Sequence, residues 1–81
     1  MNNETFFDII KKENLMNLNF FEEQNLKSDQ IVISKRNNKY VVFVTDERAS
    51  CITGSEEYYT EEELALNDVL ERLRANKILN S

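Results

Sequence analysis

Residues 31–45, IVISKRNNKYVVFVT, constrain the fold more than any other stretch, because two β-branched runs flank Asn37 and Asn38. A two-residue hairpin turn needs positive φ at its centre, which asparagine tolerates, so the segment predicts a β-hairpin. Pairing across this turn sets Ile31, Ile33, Tyr40, Val42 and Val44 on one face, with Val32, Ser34, Val41, Phe43 and Thr45 on the other. Both faces are largely apolar, whereas a sheet with one wet face alternates more cleanly. Either two helices cover opposite faces or one face remains for a partner, and coverage within the fold is the expected outcome.

The flanks supply the helices. From Thr5 to about Asn14, residues Phe6, Phe7, Ile9, Ile10 and Glu13 fall within one broad arc, with Thr5 or Asn3 as N-cap candidates. Asparagines at 14, 17 and 19 then weaken helix continuation, and Met16, Leu18 and Phe20 alternate with Asn17, Asn19 and Phe21 as a strand would. A second helix reaching about Leu26 is the alternative. After the hairpin, Cys51–Thr53 reads as a short strand before the turn at Gly54. In the last helix Leu66, Val69, Leu70 and Leu73 form one stripe at helical spacing. Thr60 and Glu63 have the spacing of a capping box, and Tyr59 with Leu64 that of a hydrophobic staple. Glu61, Glu62 and Glu63 complement the helix dipole at its start, and Arg72, Arg74 and Lys77 at its end. The chain therefore reads as α+β: a small antiparallel sheet of three to four strands, central hairpin 31–45, packed by an N-terminal and a C-terminal helix. With no proline and one glycine, nothing in residues 1–81 resembles a linker, so one domain is expected.

At 81 residues a single core yields only a few kcal/mol of net stability and little room for an elaborate catalytic cleft. The absence of histidine removes the usual base for a serine or cysteine nucleophile, and one glycine cannot build a phosphate-cradling loop. Cys51, flanked by apolar residues, is expected to be buried and inert; alone it makes no disulfide and no thiolate pair for a metal. The carboxylate pairs Asp46/Glu47 and Glu56/Glu57 lack the alternate spacing of a calcium loop, and adjacent strand residues point apart. No catalytic residue, cofactor or metal is predicted. The net charge of −5 repels nucleic acid and anionic membranes and favours a basic partner. The N-terminus lacks the basic start and long apolar run of a signal peptide, and nowhere do about 18 apolar residues run together. A cytoplasmic protein is the expectation.

Residues 44–63, VTDERASCITGSEEYYTEEE, carry seven carboxylates, one arginine and two tyrosines. Capping and stapling account for Tyr59, Thr60 and Glu63. Asp46, Glu47, Arg48, Glu56, Glu57 and Tyr58 are left as a carboxylate-rich rim holding an aromatic and an arginine, types that concentrate binding energy at interfaces. They are the candidate partner-binding residues.

In the C-terminal half, Tyr40, Val41 and Val42 lead into Thr45, Asp46, Glu47 and Arg48, followed by Gly54, Ser55 and Glu56 and a helix ending in Arg72, Leu73 and Arg74. This pattern resembles a family of small bacterial immunity proteins of polymorphic toxin systems, Immunity protein 59. The resemblance implies a cytosolic protein that binds and neutralises a cognate protein toxin with a basic face, with Asp46, Glu47, Glu56, Glu57 and Tyr58 excluding the toxin's substrate. Charge reversal at Asp46 and Glu47 is then expected to slow binding and leave folding intact. Two alternatives stand beside it. One is a nucleic-acid mimic, such as a phage inhibitor of a DNA-binding defence enzyme, with Glu22, Glu23, Asp46, Glu47, Glu56, Glu57 and Glu61 to Glu63 imitating phosphates. The other is a homodimer joined through Val32, Val41 and Phe43.

Overall fold

A computed structural model describes residues 1–79. The elements run α1 (Asn3–Glu13), β1 (Leu18–Phe20), a 3₁₀ turn (Glu23–Asn25), β2 (Ile31–Arg36), β3 (Lys39–Val44), β4 (Glu57–Tyr59) and α2 (Glu62–Leu79). The hairpin forms in the expected register, pairing Ile31 with Val44 and Ile33 with Val42, around Asn37 and Asn38 at φ 50° and 66°. The sheet order is β1-β2-β3-β4. It is mixed rather than wholly antiparallel, because β1 runs parallel to β2. Parallel neighbours need a crossover, which residues 21–30 provide, and sequence periodicity carries no sign of pairing direction.

Both helices lie on one face of the sheet, where Phe6 of α1 and Ala65, Leu66, Val69, Leu70 and Leu73 of α2 join Ile31, Ile33 and Val42 in one core. The predicted α2 stripe is wholly buried. At about 2 kcal/mol for each fully buried aliphatic side chain, this contact dominates the fold's energetics. Between the helices the ion pair Arg74–Glu13 (2.6 Å) and a bond from Lys77 Nζ to the Glu13 carbonyl tie their ends together.

The opposite face is closed by the crossover itself, which we call the strap. Val32, Val41 and Phe43 are 0–1% exposed, with Leu26 of the strap packed against them. Three buried polar side chains hold the strap in place. Asn19 of β1 donates through Nδ2 to the Glu22 carbonyl (3.1 Å) and Gln30 Oε1 (3.1 Å), and accepts from the Glu22 amide (2.9 Å). Thr45 donates to the Lys27 carbonyl and accepts from the Gln30 amide, both at 2.7 Å. Ser34 of β2 donates to Glu23 (2.9 Å), whose carboxylate also holds Arg36 through Nε and Nη2. Polar residues survive burial there because each has its partner. Both apolar faces are covered within the fold, as expected, but the second is covered by the strap and not by a helix, so among the described residues Val32, Val41 and Phe43 leave no apolar face for a second copy. The homodimer surface at Val32, Val41 and Phe43 is interior.

Local boundaries differ from the expected ones for identifiable reasons. Asn2, rather than Thr5 or Asn3, caps α1, its Oδ1 accepting from the Thr5 amide at 2.8 Å. Asn14 ends that helix in the left-handed conformation, φ 54°. The strand reading of residues 18–20 holds, and the helix to Leu26 reduces to one 3₁₀ turn. Cys51–Thr53 makes only a single bridge, Cys51 to Thr45; the fourth strand is Glu57–Tyr59, which pairs with the free edge of β3. That pairing draws Tyr59 out of the helix entry, and α2 starts at Glu62, so the capping box does not form. Glu63 accepts from the Met1 ammonium (2.8 Å), Leu64 is 47% exposed, and the Tyr59 hydroxyl donates to Asp68 (2.6 Å) in place of a staple.

Candidate partner-binding surface

β3 ends at Val44, and the chain folds into two consecutive turns before β4. Asp46 builds the first. Its Oδ1 accepts from the amides of Arg48 (2.8 Å) and Ser50 (3.0 Å), while its own amide donates to the Ser50 carbonyl (2.8 Å). An ionised carboxylate is the strongest acceptor available for such a turn, which is why aspartate stands here. Ala49 is held at φ 62°, a conformation costly for any residue with a Cβ. The second turn is closed by Ser55, whose hydroxyl donates to the Ile52 carbonyl (2.7 Å) and accepts from the Val44 amide (3.2 Å). Gly54 takes φ 89° within it.

The first turn holds Glu47 and Arg48 out into solvent, both exposed. Beneath them lies a groove of about 550 Å³, whose apolar lining is Ile31, Val44 and Ile52 and whose charged lining is Asp29, Asp46, Glu47 and Arg48. Asp29 and Ile52 were missing from the predicted site. The hairpin register already implied Asp29: extending the Ile31–Val44 pair by two residues sets Asp29 beside Asp46, and the Asp29 amide donates to the Asp46 carbonyl (3.0 Å). Ile52, 44% exposed, gives no such signal, since its place depends on how the two turns fold.

The six predicted residues thus separate into groups. Asp46, Glu47 and Arg48 share the groove. Glu56 accepts from the Cys51 thiol at 3.5 Å. Glu57 pairs with Val42 and so sits on the helix side of the edge strand, whereas Tyr58 pairs with Val41 on the strap side. Tyr58, 51% exposed, lies by Arg36 and Lys39 near the hairpin tip, away from the groove. Arg36 stacks over Phe43 at 5.3 Å, and its pKa is pushed up chiefly by the bonds to Glu23 and further by the Tyr58 hydroxyl, against desolvation. Cys51 is exposed, not buried as expected, because it sits on the open side of a one-bridge turn. Its thiol is nonetheless pushed up, first by desolvation and then by Glu56, which disfavours the reactive thiolate.

Among the described residues no group of three or more histidine, cysteine, aspartate or glutamate side chains is arranged to hold a metal ion. No helix among them is long and apolar enough to cross a membrane. No protein-family model, curated protein or solved structure matches the chain.

Proposed function

We propose that this protein is a non-enzymatic inhibitor of the bacterial immunity type, which neutralises a cognate protein toxin by occupying a basic surface of it. The observation that carries the reading is the groove at the open end of the hairpin. Three carboxylates, Asp29, Asp46 and Glu47, surround an apolar lining of Ile31, Val44 and Ile52. Such a groove suits a long basic side chain, whose aliphatic stem packs on the isoleucines while its charged head meets the carboxylates. The turn that carries Glu47 is pre-closed by four hydrogen bonds to or from Asp46, so little ordering cost falls on binding. The net charge of −5 speeds encounter with a basic partner.

The groove alone is smaller than a stable interface of about 1,200–2,000 Å². Exposed Arg48 and the neighbouring Glu56 and Glu57 extend it along the loop and the β4 edge. Tyr58 belongs to this contact only if the partner reaches around that edge. The nucleic-acid mimic finds less support, since Glu23 and Glu63, two of the carboxylates it needs, are engaged by Arg36 and the Met1 ammonium.

Co-expression with the toxin encoded beside the gene, scored by survival and then by co-purification of a stoichiometric complex, tests the proposal. Glu47→Lys should slow association several-fold with the fold intact. Asp46 is the wrong residue for this test, contrary to the expectation that reversing it spares folding, because its carboxylate holds the turn together. Unchanged association by Glu47→Lys and Asp29→Lys together would place the contact elsewhere; no rescue would remove the immunity reading.

A further inference from the structure

The hairpin tip carries a second concave site of opposite polarity. Residues 30–45 contain Lys35, Arg36 and Lys39 and no carboxylate, although the whole chain has fifteen. Arg36, Asn37, Lys39 and Tyr58 line a depression of about 450 Å³. We propose that this depression binds a small oxyanion, a phosphate or carboxylate group, independently of the toxin-binding reading.

The case rests on how Arg36 is held. Glu23 takes its Nε and Nη2 edges at 3.1 and 2.5 Å, and the Phe43 ring lies against the guanidinium at 5.3 Å. A free arginine loses much side-chain entropy when it grips a ligand; this one is already fixed. The Glu23 bonds leave the Nη1 side of the guanidinium outside the fork, and a guanidinium has five N–H donors to distribute. The Tyr58 hydroxyl, on a half-exposed ring, already engages the guanidinium as an acceptor and keeps its own O–H to donate to a ligand. Lys39 brings an exposed ammonium that pairs with no carboxylate among the described residues, so the charge that Glu23 cancels on Arg36 is restored by a cation free to turn toward a ligand. Together they offer two cationic donor groups, a phenol and the Asn37 amide around one space, with the anion-repelling carboxylates of the groove at the other end of the strands.

The test is a titration of the ¹⁵N-labelled protein with inorganic phosphate and, separately, acetate, at constant ionic strength. Saturable amide shifts confined to Asn37, Lys39 and Tyr58 are expected, with millimolar midpoints. Lys39→Gln and Tyr58→Phe, both exposed positions, should each weaken the midpoint about five-fold, as loss of one exposed charged or polar contact implies, while Glu47→Lys leaves it unchanged. Stronger phosphate binding points to a phosphoester source, and equal or stronger acetate binding to a carboxylate. Linear, unsaturated drift, shifts spread over all lysines, or a midpoint indifferent to Lys39→Gln would overturn the site. Toxin rescue is not part of the readout, so failure of either proposal leaves the other standing.

Discussion

Replacing Asn19 with alanine should cost about 2–3 kcal/mol, although the residue touches no part of the candidate surface. The amide is 3% exposed and makes three bonds of 2.9–3.1 Å to the strap, with a weaker fourth to the Asn25 carbonyl at 3.4 Å. Each good bond is worth about 1 kcal/mol net, and the Glu22 amide and carbonyl lose their partner when the side chain is removed. Gln30 Oε1 is less affected, since it also accepts from the Lys27 amide (2.8 Å), which keeps the sum below a larger figure. For 81 residues the total stability is about 4–12 kcal/mol, so the loss is a large share of it. In urea, with a slope of about 1.2 kcal/mol per molar, the midpoint should fall by about 2 M. Asn19→Asp sharpens the test. It keeps the shape but turns a donor into an anion facing the Glu22 carbonyl and Gln30 Oε1, so at neutral pH it should be at least as damaging as alanine. Burial beside acceptors raises the folded-state pKa of the new carboxyl above its unfolded value of about 3.9, so the penalty grows as pH rises from there and shrinks below it. Part of the stability should therefore return in acid for Asn19→Asp and not for Asn19→Ala. A loss under about 1 kcal/mol, or identical pH behaviour of the two variants, would refute the clasp.

Three further outcomes follow from local geometry. The Tyr59 hydroxyl is pushed up to about 12, first by its bond to Asp68 and then by desolvation; its stabilising contribution is intact below the ordinary tyrosine value near 10 and lost as pH rises through about 12. Tyr59→Phe should remove that alkaline phase, seen by ultraviolet titration, at a cost near 1 kcal/mol at neutral pH. The Glu23 carboxyl is held below the usual range chiefly by Arg36 and then by Ser34, against desolvation, so the strap is stabilised above pH ~4.5 and loosens as pH falls through the lowered value. The amide protection factors across residues 22–30, corrected for the intrinsic rate at each pH, should fall in acid for the native chain and be already low in Glu23→Gln. Ala49→Gly relieves a left-handed conformation costing about 1–2 kcal/mol, less about 0.5–1 kcal/mol of added unfolded-state freedom. A gain near 0.5 kcal/mol should raise Tm by about 2–4 °C; a fall in Tm would show that Ala49 is unstrained or makes contacts that glycine loses.

The hairpin and the α2 stripe were legible because their signals are local: two asparagines in a two-residue turn, and leucines at helical spacing. The strap was not. Its clasp joins Asn19 of β1, Ser34 of β2 and Thr45, the residue just past β3, to one crossover, and each looks in sequence like an ordinary polar position on a strand. The capping box at Thr60 and Glu63 failed for a related reason, since ladder bonds to the β3 edge at Tyr40–Val42 outcompeted a local cap. The candidate site divides the same way. Glu47 and Arg48 stand exposed as an acidic loop suggests, but Asp46 turned out to be the loop's internal brace, and Tyr58 faces cations across the strand pleat.

That pleat gives the molecule two poles. β3 runs from Lys39 at the tip to Val44 beside Asp46, so the basic depression and the acidic groove are about 20 Å apart at 3.3 Å per residue. At physiological ionic strength the screening length is about 8 Å, and charges at one end are scarcely felt at the other. Anion binding at Lys39 should then leave association at the groove unaffected in 0.15 M salt. At about 0.01 M salt, where screening extends to about 30 Å, the basic pole should retard a basic partner, and Lys39→Gln should speed its association. A Lys39→Gln effect that persisted at high salt would mean instead that the partner touches the hairpin tip directly. The contact would then extend along the β4 edge through Tyr58, and the acidic groove would be only one end of it.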